Sequence, residues 1–239
     1  MSAARRPLDP ATSMPPVRRW RLWLAWVGVN SIAQGIAAVL VAAFTARLLA
    51  SLRGLGIAPE SAGPIVTPAQ LLLTWAIVGV AQWALLRGKF RGTRWWVPAT
   101  ALGALSAAPV QILIDQGFRA LLHHKPTQAE VLAWALALGI AVGLCIAAAQ
   151  FLVLRRAFAG AAIWLPACLA GGGVGAIVAT GLRILPLTHP AFDLASGYVL
   201  GGLLVGGVGA AITGLALRRL LQEGGTPRSL GGPVRAVLA

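Results

Sequence analysis

The side chains with the most obvious acid–base or metal-binding potential in this 239-residue chain are three histidines, two cysteines and six carboxylates. His123, His124 and His189 fall near Asp115, Glu130 and Asp193, a cluster with the residue types of a metal or proton site. A metal needs ligands converging at about 2.0–2.2 Å with supporting hydrogen bonds. Two adjacent histidines followed 65 residues later by a third match no such spacing, so solvated loops are expected. Cys145 and Cys168 each lie inside an apolar run. They form neither a disulfide framework nor a CxxC pair, and small buried apolar residues are expected there. Ser106 and Ser196 lack a GxSxG setting, and no histidine lies within an apolar run to act as base. There is no P-loop, no HExxH and no GxGxxG leading into soluble α/β sequence. The expectation is a non-enzymatic protein with no cofactor and no metal.

A second group of residues is defined by depth. Gln82, Gln150 and Thr213 each lie five residues before an arginine, respectively Arg87, Arg155 and Arg218, which on a helix is about 7 Å. If these stretches cross a membrane, the three form a polar layer within it. Its plain role is interhelical hydrogen bonding, worth about 0.6 kcal/mol on average; its sharper role is to line a substrate or ion path. The three arginines would make a basic ring able to meet anionic lipid headgroups, although positive-inside topology alone already explains them.

The elements that must position these residues follow from composition. The chain is 58% apolar with 29 further glycines and only 11% charged residues, against about 45–50% apolar plus glycine in soluble domains. That excludes a soluble globular protein and a disordered one. Spanning about 30 Å of hydrocarbon takes about 20 apolar residues, and six runs qualify: 22–49, 68–87, 95–114, 128–154, 161–185 and 194–220. The first is preceded by Arg18, Arg19 and Arg21 like a signal peptide, but it is far longer than the roughly 7–15 residues of such a segment and reads as an uncleaved span. Residues 1–21 and 221–239 are then basic tails on a single six-helix domain, 22–220.

With the N-terminus inside, 15 of the 20 Lys and Arg residues fall on one side and five on the other. Cytoplasmic loops retain such charges, so both termini are expected in the cytoplasm. A net charge of +14 would suggest nucleic acid in a soluble chain. Here the bases punctuate apolar runs, so the expected partner is the bilayer, with anionic lipids on the cytoplasmic side, and no nucleic acid. Trp20, Trp23, Trp26, Trp95, Trp96 and Trp164 lie beside inner arginines and are expected as headgroup anchors. Phe118, Leu121 and Leu122 suggest a short interfacial helix after the third span.

The chain also repeats itself. Gln82-Trp-Ala-Leu-Leu-Arg87 aligns with Gln150-Phe-Leu-Val-Leu-Arg155, and Trp96-Val-Pro-Ala with Trp164-Leu-Pro-Ala, both at a separation of 68. Thr213-Gly-Leu-Ala-Leu-Arg218 is a degenerate third copy, with Trp23-Leu-Ala25 as its partner half. All copies share one orientation, which predicts three parallel two-helix repeats in a pseudo-threefold bundle. Pro98 and Pro166 fall in first turns, where a missing N–H is harmless, whereas Pro109 should kink the third helix. Small residues four apart, Gly139/Gly143, Gly171/Gly175 and Gly202/Gly206, mark close helix packing.

On Gln82, Trp83, Leu86, Arg87, Trp95, Trp96 and Ala99, and on Gln150, Phe151, Leu154, Arg155, Trp164 and Ala167, the chain resembles a group of uncharacterised bacterial multi-pass membrane proteins. Their helical hairpins end in Q-[WF]-x-x-L-R and restart at W-x-x-A. The third copy departs from that pattern at Thr213 and Gly214. The resemblance implies the architecture and the bacterial inner membrane, and it carries no activity. The leading functional expectation is a scaffold or accessory subunit, docking a membrane-protein partner or a second copy of itself through small-residue faces. The alternative is a transporter of small molecules or lipids.

Overall fold

The computed structural model describes residues 16–58, 61–90, 92–122, 124–184 and 194–223, with side chains left out at the ends of some helices. The tails 1–15 and 224–239, Glu60, Arg91, His123, His189 and Asp193 lie outside the described residues. Six α-helices account for nearly all of the structure: α1 Pro16–Gly54, α2 Gly63–Leu86, α3 Trp96–Leu121, α4 Gln128–Leu154, α5 Trp164–Ile184 and α6 Leu194–Glu223. There is no strand among the described residues. All six are long and apolar enough to cross a membrane, as expected of a multi-pass membrane protein. Helices suit these sequences because hydrocarbon supplies no partner for backbone N–H and C=O groups, and a helix satisfies them internally.

Several boundaries depart from the sequence expectation, in α1, α2 and α3, for one physical reason: a helix need not stop where the apolar run stops. At 39 residues α1 outlasts its apolar run and is about 58 Å long, nearly twice the hydrocarbon thickness. Nor does a separate interfacial helix follow the third span, since α3 runs on through Phe118 to Leu121. That extension is held where the Trp134 indole N–H on α4 donates to Asp115 at 2.9 Å. At the start of α4, Thr127 and Glu130 form a reciprocal cap: the Thr127 N–H donates to the Glu130 carboxylate at 2.7 Å, and the Glu130 N–H to the Thr127 hydroxyl at 3.3 Å.

Each helix packs on the next in chain order and α6 packs on α1, which closes the six into a ring. Short 3-10 turns, Thr93–Trp95 and Ala161–Ile163, lead directly into α3 and α5. The first begins behind Gly92 at φ 92°, a left-handed backbone for which glycine is the fitting residue. Large apolar side chains face outward, Leu24, Leu102 and Leu113 among them, as lipid requires. The fully buried side chains include Trp26, Trp96, Trp164, Leu86, Leu154 and Leu217, all toward the arginine-bearing end of the ring.

Glycine sets the spacing of several helix pairs. A Cβ on Gly202 or Gly206 of α6 would stand 2.6 or 2.5 Å from the carbonyls of Gln34 and Asn30 on α1. On Gly143 it would meet the Cys168 carbonyl at 2.8 Å, and on Gly171 the Gly209 carbonyl at 2.9 Å. Gly175 faces Val205 more loosely, at 3.3 Å, while Gly139 and Gly172 press backbone to backbone. A methyl at Gly139 must therefore force α4 and α5 apart. We expect Gly139→Ala to lose about 1–3 kcal/mol of stability, the usual cost of overpacking, in denaturant titrations of the detergent-solubilised protein. Gly201→Ala, whose added Cβ meets nothing within 4 Å, should be neutral or slightly stabilising; equal losses at both sites would contradict this account of the packing.

Candidate functional site

The buried centre of the ring is a triangle of indoles. Trp26, Trp96 and Trp164, from α1, α3 and α5, meet edge to face with centroids 6.5, 6.1 and 5.8 Å apart, a favoured geometry for aromatic quadrupoles. All three are at most 1% exposed. They are not headgroup anchors, as their position beside arginines suggested. The rings turn inward because each has a polar partner inside the bundle, whereas Trp20 and Trp95 stay about half exposed. Nor does Trp23 take the third corner: it donates to the Ala211 carbonyl at 3.0 Å, and Trp26, three residues on, sits in the triangle.

Each indole N–H donates to a neighbouring helix. Trp96 bonds the Gln82 Oε1 at 2.9 Å and Trp164 the Gln150 Oε1 at 3.0 Å, both across 14 residues of sequence. Trp26 bonds the Thr213 hydroxyl at 3.1 Å. An indole can only donate, so it sets which way each glutamine amide points: oxygen to tryptophan, nitrogen onward. The Gln82 nitrogen donates to the Asn30 Oδ1 at 2.7 Å, and the Gln150 nitrogen to the Thr100 hydroxyl at 2.9 Å and to the Gln82 Oε1 at 3.4 Å. Asn30 and Thr100 are steadied by donating back to Trp26 and Trp96 carbonyls, each at 2.8 Å. Among the described residues no buried side-chain nitrogen or oxygen lacks a partner.

The structure thus joins Gln82 to Gln150 directly, while Thr213 belongs to the same layer through Trp26. Asn30 and Thr100 were missed by the sequence reading. A signal was present: each stands four residues after a tryptophan of the triangle, one turn along the same helix face.

Above this layer, away from the arginines, lies a partly enclosed cavity of about 290 Å³. Trp26, Trp164, Gln82, Gln150 and Thr213 line its floor, and Gly139, Gly143, Gly171, Gly172, Gly206 and Gly209 form much of its wall. It reaches from Gln150 to Leu138 on α4 and from Trp164 to Ala176 on α5, twelve residues or about 18 Å. No Asp, Glu, Lys, Arg or His lines it, so it can exclude charge and hold apolar matter.

The other predicted positions stay peripheral. Arg87 lies over Trp83 at 6.0 Å and Arg218 over Trp20 at 4.2 Å, both cation–π contacts, and Arg155 is exposed at the end of α4. His124 is 3.4 Å from Glu130 in an exposed pair. Among the described residues no group of three or more His, Cys, Asp or Glu is placed to hold a metal.

Gln82→Leu would orphan the Trp96 N–H and the Asn30 oxygen. An unsatisfied buried group costs about 1–3 kcal/mol, and a loss in that range is expected in detergent unfolding. A cycle of Gln82→Leu with Trp96→Phe should show coupling of at least about 0.5 kcal/mol; strict additivity would remove this bond from the account of stability. Comparisons with protein-family models, with curated proteins and with solved structures find no match to the chain, so the site is read from its own chemistry.

Proposed function

We propose that this is a non-enzymatic integral membrane protein that takes a small molecule or lipid chain into its axial cavity, the transport or lipid-handling alternative rather than the scaffold. The observation that carries this reading is a cavity of about 290 Å³ within the bundle, closed at one end by a floor whose polar groups are partnered. A layer already satisfied by its own hydrogen bonds is a seal and not an ion path. The scaffold expectation drew on the glycine faces, but Gly171, Gly175, Gly202 and Gly206 all press against neighbouring helices within the chain. They present no free face to a partner.

The same proposal places both termini in the cytoplasm, on the 15-to-5 distribution of Lys and Arg, and the protein in a bacterial inner membrane, as the resemblance implies. The sealed end then faces the cytoplasm, with Arg87, Arg155 and Arg218 at the depth of anionic headgroups.

We further propose that the ring is three copies of one helical pair about a pseudo-threefold axis, the third made of α6 with α1. Matching positions support this. Gln82, Gln150 and Thr213 receive Trp96, Trp164 and Trp26. Four residues later, Leu86, Leu154 and Leu217 are all buried. Gly143 meets the Cys168 carbonyl as Gly206 meets that of Asn30, and Cys168 and Asn30 each stand four residues after a triangle tryptophan.

Native mass spectrometry of protein extracted in mild detergent should find a retained small molecule or lipid, and Val142→Phe, which fills the cavity wall, should release it. Identical adducts in both proteins, or none in either, would remove the binding reading. Reporter fusions at both ends should mark the cytoplasm; an external signal from either would overturn the topology.

A further inference from the structure

The shape and polarity of the cavity specify its occupant more closely, on the reading that the cavity is a ligand site. We infer that it holds a single hydrocarbon chain bearing one uncharged hydrogen-bonding group, with the methyl end on the tryptophan floor and the polar group at Gln34.

Shape comes first. About 290 Å³ is open to atom centres, and spread over about 18 Å it is an elongated path that takes an extended chain along its length. The floor then fixes which end enters first. Each buried indole and amide there already has a partner, so a polar group lowered onto them has to share or displace bonds that are already made. A methyl end loses nothing there.

Gln34 provides the opposite condition. It lines the cavity and is half-buried, yet among the described residues its side chain makes no hydrogen bond. Its Cβ and Cγ lie over Gly206, where an added Cβ would come within 2.9 Å of both. Glycine thus makes room for this amide in the middle of the bundle. An amide in an apolar setting gains most from a donor or acceptor brought to it. That group must be uncharged, because no lining residue carries a compensating charge and a charge at this depth is costly. A hydroxyl, amide or ester qualifies; a carboxylate or phosphate does not. Length follows from the eight residues between Trp26 and Gln34, about 12 Å. An extended chain gains roughly 1.2 Å per bond, which gives about ten carbons.

The test uses the full-length protein in lipid nanodiscs with 10-bromodecan-1-ol, whose bromine would sit at the indole floor and quench its fluorescence. A saturable quenching component is expected above the background from probe dissolved in the bilayer. Unlabelled 1-decanol should relieve it more effectively than n-decane, 1-hexanol or 1-hexadecanol. Gln34→Leu should weaken 1-decanol about three- to tenfold, one neutral hydrogen bond, and leave n-decane unchanged. If that variant lacks the wild-type melting transition, Gln34→Met, equally long and without the amide, takes its place. Saturable quenching relieved equally by n-decane and indifferent to Gln34 would overturn this inference while leaving the cavity a site for apolar chains. Saturable quenching that is absent, or unaltered in a folded Val142→Phe protein, would overturn both. The occupant extracted from native protein should be a single-chain alcohol, amide or ester; phospholipid alone would overturn the inference.

Discussion

An amide or indole N–H inside a membrane bundle has no water to turn to, and the arrangement of this protein follows from that. Three tryptophans carry donors into the centre of the ring, and those donors find Gln82, Gln150 and Thr213 on the helices alongside. Because indole cannot accept, it sets the orientation of both glutamines, and they in turn bind Asn30 and Thr100. The layer ties together α1, α2, α3, α4, α5 and α6 with bonds that lose their partners if any one helix slides by a turn. Packing alone would leave such a register loosely defined, since the surrounding side chains are largely alanine, leucine and valine.

The division of labour along the axis is consistent with this. At the arginine-bearing end large side chains fill the ring: the three tryptophans, then Leu86, Leu154 and Leu217, with Phe90 and Phe158 at 5.3 Å. Toward the other end glycines draw the walls close and leave the axis unfilled. Small residues therefore do two things here. They let backbones touch between neighbouring helices, and they withhold the side chains that would otherwise occupy the centre.

Much of this was legible in the sequence. Six apolar runs gave six helices, with α4 recovered to the residue at 128–154, because a hydrocarbon slab imposes its own length. The glutamine layer was visible as a repeated spacing. Tryptophan placement was not, because an indole beside an arginine suits a headgroup belt and a buried hydrogen bond equally, and only the identity of the neighbouring helix decides between them. The same ambiguity put Trp23 where Trp26 belongs. The glycine ladders marked contacts without saying with what, and Gly202 and Gly206 turn out to lie against α1, at the far end of the chain. The cavity left no trace at all, since a void depends on what five separate helices fail to supply at one height.

The contact between α1 and α6 has a consequence for biogenesis. Trp26 enters the membrane with the first helix, yet its partner Thr213 lies 187 residues later. Throughout synthesis of the intervening helices the ring stands open, with an indole N–H and a half-built amide layer facing lipid or the insertion machinery. The last helix acts as a latch: until it arrives there is neither a closed floor nor a complete cavity, so the protein acquires its closed form in one late step and not by gradual accretion.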